Sequence, residues 1–99
     1  MLFFNDINNY HPTHDTLLID VREPEEFNSG HIPGARNIPL SAITTAELPA
    51  DLSSSICLYC LSGMRSSRAA KQLKKMGYTN VRSIGGIKKW KGEIERGSR

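Results

Sequence analysis

The sequence predicts an α/β domain with a mainly parallel central sheet flanked by helices. Three observations carry that expectation. Apolar runs of strand length, at residues 16–21, 56–60 and 81–84, alternate with segments of helical character. No tight two-residue hairpin signal joins any of them, so successive strands are expected to run in the same direction through crossovers. The first run, Thr16-Leu17-Leu18-Ile19-Asp20-Val21, is almost continuously apolar, as a strand covered on both faces would be.

Taken in order, the chain opens with a polar stretch in which Leu2, Phe3 and Phe4 form an edge strand or an apolar clasp. After the first strand, residues 22–27 read as a short helix with Pro24 in its first turn and carboxylates near the positive end of its dipole. Asn28-Ser29-Gly30 ends it, and His31-Ile32-Pro33-Gly34-Ala35 is a rigid turn into a brief strand at residues 36–38 that Pro39 closes. Residues 41–52 are weakly helical and interrupted at Pro49, and a serine loop leads to the strand beginning at Ile56. A helix is expected over residues 66–76, with Ala69, Ala70, Leu73 and Met76 on one face and Gly77 as its cap. Residues 81–84 form the last strand, which Gly85-Gly86 turns into a helix containing Ile87 and Trp90.

With 99 residues the chain is expected to be one domain, its core at about 17–91 and its polar tail, 92–99, frayed. Polar residues break up the first nineteen positions, so no signal-peptide core is read there, and no apolar run is long enough to span a bilayer. Two cysteines make no disulfide framework, and three scattered histidines give no zinc spacing. No metal and no cofactor is expected, and a reduced, cytoplasmic compartment fits best. Residues 1–50 carry seven acids and two bases, whereas residues 51–99 carry three acids and eleven bases. Without interleaved aromatic residues this asymmetry does not point to nucleic acid. Many of the lysines simply solvate helix faces. Those near the Cys60 loop also create a field that draws small anions.

The chemistry concentrates in Cys60-Leu61-Ser62-Gly63-Met64-Arg65-Ser66, where a strand breaks at a Ser-Gly loop and reopens as a helix. A thiol reacts as its thiolate, and an ordinary cysteine with pKa ~8.5 is mostly protonated at neutral pH. A loop entering a helix stabilises the anion through converging backbone N–H groups and the helix dipole. Gly63 gives that loop conformational freedom, and Arg65, unfavourably placed in a first helical turn, supplies a fixed charge for an anionic substrate. Ser62 and Ser66 offer hydroxyl donors, although Ser66 serves equally well as a helix cap. Cys57 lies inside the apolar run and reads as a core thiol; a disulfide to Cys60 would require the strand end to bend. Asp20 and Arg22 read as a structural pair at strand ends. His31 is an anchor of its turn in preference to a proton carrier, and Trp90 a core or lid residue.

These segments resemble the rhodanese domain, and within it the single-domain sulfurtransferases. The resemblance rests on Asp20-Val21-Arg22-Glu23, Gly30-His31-Ile32-Pro33-Gly34-Ala35 with Asn37-Ile38-Pro39, the Cys60 loop ending in Arg65-Ser66, and Gly85-Gly86 followed by Trp90, all in the family's order. It implies a persulfide relay: Cys60 takes the outer sulfur of a donor such as thiosulfate, releases sulfite, and passes the sulfur to cyanide or a thiol, including a thioredoxin-like or other protein thiol. It also implies that Asp20 and Arg22 shape the site without reacting. Related phosphatases and arsenate reductases have a loop longer by one residue. Only Leu61, Ser62, Gly63 and Met64 separate Cys60 from Arg65, which favours sulfur transfer. A carrier or regulatory module with little turnover on free thiosulfate is the alternative, to which Leu61 and Met64 would be suited, although they serve equally well as inward packing residues.

Overall fold

In a computed structural model of the chain, residues 7–11 and 13–97 are described. Strands β1 (Thr16–Asp20), β2 (Arg36–Asn37), β3 (Ser55–Cys60) and β4 (Val81–Gly86) form one sheet in the order β2-β1-β3-β4, and every pairing is parallel. Helix α1 (Pro24–Ser29) lies between β1 and β2, and α2 (Met64–Lys75) between β3 and β4. The α/β class and the parallel sheet are as expected.

The pleat of β3 divides the core. Ile56, Leu58 and Cys60 face α2 and pack with Ile19, Ala69, Ala70 and Leu73, while Cys57 and Tyr59 face the other way toward Leu18, Ile32 and Ile84. A strand apolar on both faces is stable only between two covered faces, which is why this run reads as continuous. Leu73 is fully buried, so truncating it to Ala would cost about 2–5 kcal/mol. At the end of α2 the Gly77 N–H donates to Lys74 O at 3.0 Å and the Tyr78 N–H to Leu73 O at 3.1 Å. Gly77 is thus the cap expected of it.

Five details differ from the sequence reading. Helix α2 starts at Met64, two residues early, because an acceptor outside the helix satisfies its first turn. Over residues 41–52 there is only one 3-10 turn, Leu40–Ala42, followed by turns; Ile43, Thr44 and Thr45 are β-branched and Pro49 lacks an N–H, so helix formation there is weak. Gly85 and Gly86 do not turn the chain but remain in β4. The register slips between Leu58 and Tyr59, and Gly85 takes φ +111° there, a bulge geometry open to glycine. The segment containing Ile87 is a single 3-10 turn, Ile87–Lys89, with Trp90 at its end. Finally, the tail is exposed but paired as far as Gly97. His31 and Glu95 exchange backbone hydrogen bonds at 2.8 Å, and the Gly97 N–H donates to Asn28 O at 2.9 Å. Leu2, Phe3 and Phe4 lie outside the described residues.

Candidate active site

Cys60 is the last residue of β3, with 1% of its surface exposed, and its sulfur sits over the first turn of α2. Gly63, at φ +111°, makes the reversal that brings the helix start back over the strand end. The Gly63 N–H then donates to Cys60 Sγ at 3.0 Å and the Ser66 N–H at 3.4 Å. Ser66 is the third residue of α2, so the sulfur occupies the place that an N-cap side chain would take. Ser66 is therefore not the cap. Its hydroxyl lies 3.6 Å from Cys60 Sγ, and it also reaches Gly63 O at 3.1 Å and Ser83 Oγ at 2.7 Å.

These contacts decide the state of the thiol. Burial pushes the Cys60 pKa up, but the Ser66 hydroxyl and the N–H groups of Ser66, Gly63 and Ser62 outweigh it and bring the pKa below that of an ordinary thiol. Three positions back, burial raises the Cys57 pKa, and the Arg82 guanidinium at 3.4 Å offsets this only in part. Two cysteines on one strand are thus tuned in opposite directions.

Arg65 does not stand free beside the sulfur. Its Nη1 and Nη2 donate to Glu26 Oε1 and Oε2 at 2.7 and 3.0 Å, and this fork holds the Glu26 carboxyl down at about 2. Glu26 also accepts the Glu23 N–H at the start of α1. Leu61 and Met64 form the exposed rim of the loop, with 40% and 72% of their surfaces open. Beside them a cavity of about 390 Å³ is lined by Leu61, Ser62, Gly85, Gly86, Lys88 and Lys89. Gly86 closes on the loop so tightly that a Cβ there would stand 2.2 Å from Leu61 O.

The supporting residues lie around the same end of the sheet but on different faces. Arg22 Nε donates to both oxygens of Asp20 at 3.0 and 3.1 Å, and Nη2 donates to Asp20 Oδ2 at 2.7 Å and to Gly30 O at 2.6 Å. Burial works against the Arg22 cation, but the Asp20 carboxylate outweighs it and raises the Arg22 pKa. The guanidinium lies 5.9 Å from the ring centre of Tyr59, so the pair belongs to the sheet face opposite Cys60. The Asn37 side chain donates to the carbonyls of Asp20 and Arg22, both at 2.9 Å, and fixes the turn after β1. His31 Nδ1 is 2.8 Å from Phe27 O, and its ring stacks on Phe27 at 3.7 Å. These contacts belong to an anchor of the turn. Trp90 packs on the Tyr59 side of the sheet.

The structure places Ser62, Gly63 and Ser66 around the Cys60 sulfur, with Glu26, Ser83, Lys88 and Lys89 as neighbours that sequence reasoning did not name for the site. Gly85-Gly86 was the available signal for the last three, since a glycine pair at a strand end marks close backbone approach as well as a turn.

Comparison with known proteins agrees with this geometry. Residues 5–93 match the rhodanese-like domain. The chain is 49% identical over 79 residues to the uncharacterized protein YqhL of Bacillus subtilis, covering 79% of this chain and 63% of that protein. It is 40% identical over 72 residues to the thiosulfate sulfurtransferase PspE of Escherichia coli, covering 71% of this chain and 69% of that one. A solved structure described as rhodanese with anions, from E. coli, superposes with a TM-score of 0.73 at 37% identity, covering 83% of this chain and 99% of that chain. Fold, loop and sequence therefore converge, and the chain belongs to the rhodanese-like domain family.

Proposed function

We propose that this protein is a sulfurtransferase that carries a sulfane sulfur as a Cys60 persulfide. The observation that carries the reading is the buried Cys60 sulfur, held at the start of α2 by N–H groups that stabilise its anion. The Cys60 thiolate attacks the outer sulfur of thiosulfate; the new S–S bond forms as the old one breaks, and sulfite leaves with the electron pair. The outer sulfur of the persulfide is then an anion at neutral pH, and the loop holds the same single negative charge, now moved one sulfur outward. A thiophilic acceptor, cyanide or a thiolate, attacks that outer sulfur and releases the Cys60 thiolate unchanged. Each half is a displacement easier than direct transfer, and neither needs a general base.

In this reading Leu61, Ser62, Gly63, Met64, Arg65 and Ser66 form the substrate-binding loop, with Lys88 and Lys89 adding positive charge beside it. Asp20, Arg22 and His31 hold the strand ends and turn that support the loop. The donor is a small sulfur anion such as thiosulfate. Because Leu61 and Met64 present apolar surface at the rim, a docked protein thiol, thioredoxin-like in kind, is the acceptor this surface suits, and delivery to such a partner with little turnover on free thiosulfate is the second reading. The four-residue spacing between Cys60 and Arg65 disfavours phosphoryl chemistry. Both cysteines are free thiols, and the cycle needs Cys60 reduced, which a reducing cytoplasm supplies. Among the described residues no helix is long and apolar enough to cross a membrane.

Intact mass after incubation with thiosulfate tests the relay. The wild type and Cys57→Ser are expected to gain one sulfur that cyanide removes, and Cys60→Ser to gain none while remaining folded. No gain on the wild type would reject thiosulfate as donor; a gain on Cys60→Ser would reject Cys60 as carrier.

A further inference from the structure

Behind the Cys60 loop a second hydroxyl stands in line with the sulfur. Ser83, on β4, is nine-tenths buried, and its Oγ lies 2.7 Å from Ser66 Oγ, itself 3.6 Å from Cys60 Sγ. Ser83 pairs with Leu58, immediately before the bulge, which puts its side chain on the α2 face beside Ser66. We propose that Ser83 is a positioning residue for Cys60, donating to Ser66 Oγ so that the single Ser66 proton is free to serve the sulfur anion.

The argument is a count of protons. A serine hydroxyl has one proton to give and two lone pairs. In the thiol state Cys60 donates to Ser66 Oγ, and Ser66 donates to Gly63 O at 3.1 Å. When the Cys60 proton leaves to water, Ser66 loses its donor and the sulfur gains the need for one. Rotation of the Ser66 hydroxyl toward the sulfur meets that need but leaves the Ser66 oxygen, which has no solvent exposure, facing Ser83. Only a donor at Ser83 then satisfies it, and the chain Ser83 to Ser66 to Cys60 polarises in one direction. The charged groups on the elements packed around Cys60 stay as they are. Arg65 of α2 is tied to Glu26 of α1, Asp20 at the end of β1 is forked by Arg22, and Arg82 of β4 turns to Cys57 on the other face. Lys88 and Lys89 line the cavity beside the loop.

This inference rests on the thiolate reading of Cys60, and the test separates the two. The rate of Cys60 alkylation by iodoacetamide is followed against pH by peptide mass in the wild type, Ser83→Ala, Ser83→Thr and Ser83→Val. Thr and Val share a shape and differ in the hydroxyl, so this pair decides the matter even if Ser83→Ala fails to fold. The wild type and Ser83→Thr are expected to share one midpoint. Ser83→Ala and Ser83→Val are expected to titrate about 0.5 to 1 pH unit higher, with alkylation at pH 7 slower by about three- to tenfold. Equal midpoints in all four, or Ser83→Thr following Ser83→Val, would overturn the proposal, since a packing role does not move a titration. A wild-type midpoint near ~8.5 would overturn the thiolate cradle itself, and the Ser83 proposal with it.

Discussion

The Arg65 guanidinium is forked onto the Glu26 carboxylate at 2.7 and 3.0 Å, which ties the first turn of α2 to α1 across 39 positions of chain. The arginine proposed to receive an anion is thus already held by one. Under the proposed reaction, an incoming sulfur anion would meet a guanidinium fixed in place, with part of its charge answered.

Glu26→Gln keeps an oxygen for Arg65 and removes the competing charge. The KM for thiosulfate is expected to fall severalfold with kcat within about twofold of wild type, and Arg65→Ala is expected to raise it; steady-state kinetics decides. The stability effect has a defined sign. A carboxyl lowered from 4.5 to about 2 stabilises the fold above its ordinary value and loses that contribution as pH falls through about 2. With a third of each side chain exposed, the pair contributes no more than about 1 kcal/mol. In urea titrations the gap between wild type and Glu26→Gln should be constant above about pH 5, shrink as pH falls toward about 2, and vanish below it.

Gly86→Ala places a methyl group where Leu61 O and the Ser62 Cα already stand, at 2.2 and 2.5 Å. Backbone rather than a flexible side chain must give way, so the Cys60 loop is displaced. A loss of about 1–3 kcal/mol in stability should accompany a fall in sulfur loading of at least about tenfold, read from mass spectra at matched times.

Tyr59→Phe removes the hydroxyl oxygen that accepts the Ile32 N–H at 3.0 Å in a fully buried setting. The orphaned donor should cost about 1–3 kcal/mol by denaturation. Because Tyr59 faces away from Cys60, loading by thiosulfate should be unchanged in the folded variant.

Met64→Ser removes the most exposed apolar side chain of the rim. Transfer to a protein thiol is expected to slow by about tenfold or less while transfer to cyanide is unaffected. Equal slowing with both acceptors would assign Met64 to the loop's own packing.

What the sequence revealed and what it hid follow one line. The Cys60 loop was legible because its determinants are local: a strand end, a glycine and a helix start within seven positions. Strand direction was legible because parallel pairing leaves continuous apolar runs. Glu26 was not, since nothing near residue 26 announces a partner at residue 65. Ser83 was hidden in the same way, being one serine in a short strand until the bulge sets it opposite Ser66. Gly85-Gly86 was misread because glycine pairs serve turns and close contacts alike, and only the neighbouring loop decides between them. The tail was misread as frayed because its side chains are polar and exposed, while its order comes from backbone hydrogen bonds to His31 and Asn28.

The pleat of β3 has a further consequence for the life of a loaded sulfur. A persulfide in a protein with two cysteines can discharge inward, the second thiol attacking and expelling hydrosulfide as a disulfide closes. Three positions along a strand send Cys57 and Cys60 to opposite faces, with the sheet between them. That internal short circuit is shut by the geometry of the backbone. In the proposed relay, a sulfur taken up on Cys60 would therefore be stored until a reductant or acceptor arrives from outside, and the timing of release would belong to that partner.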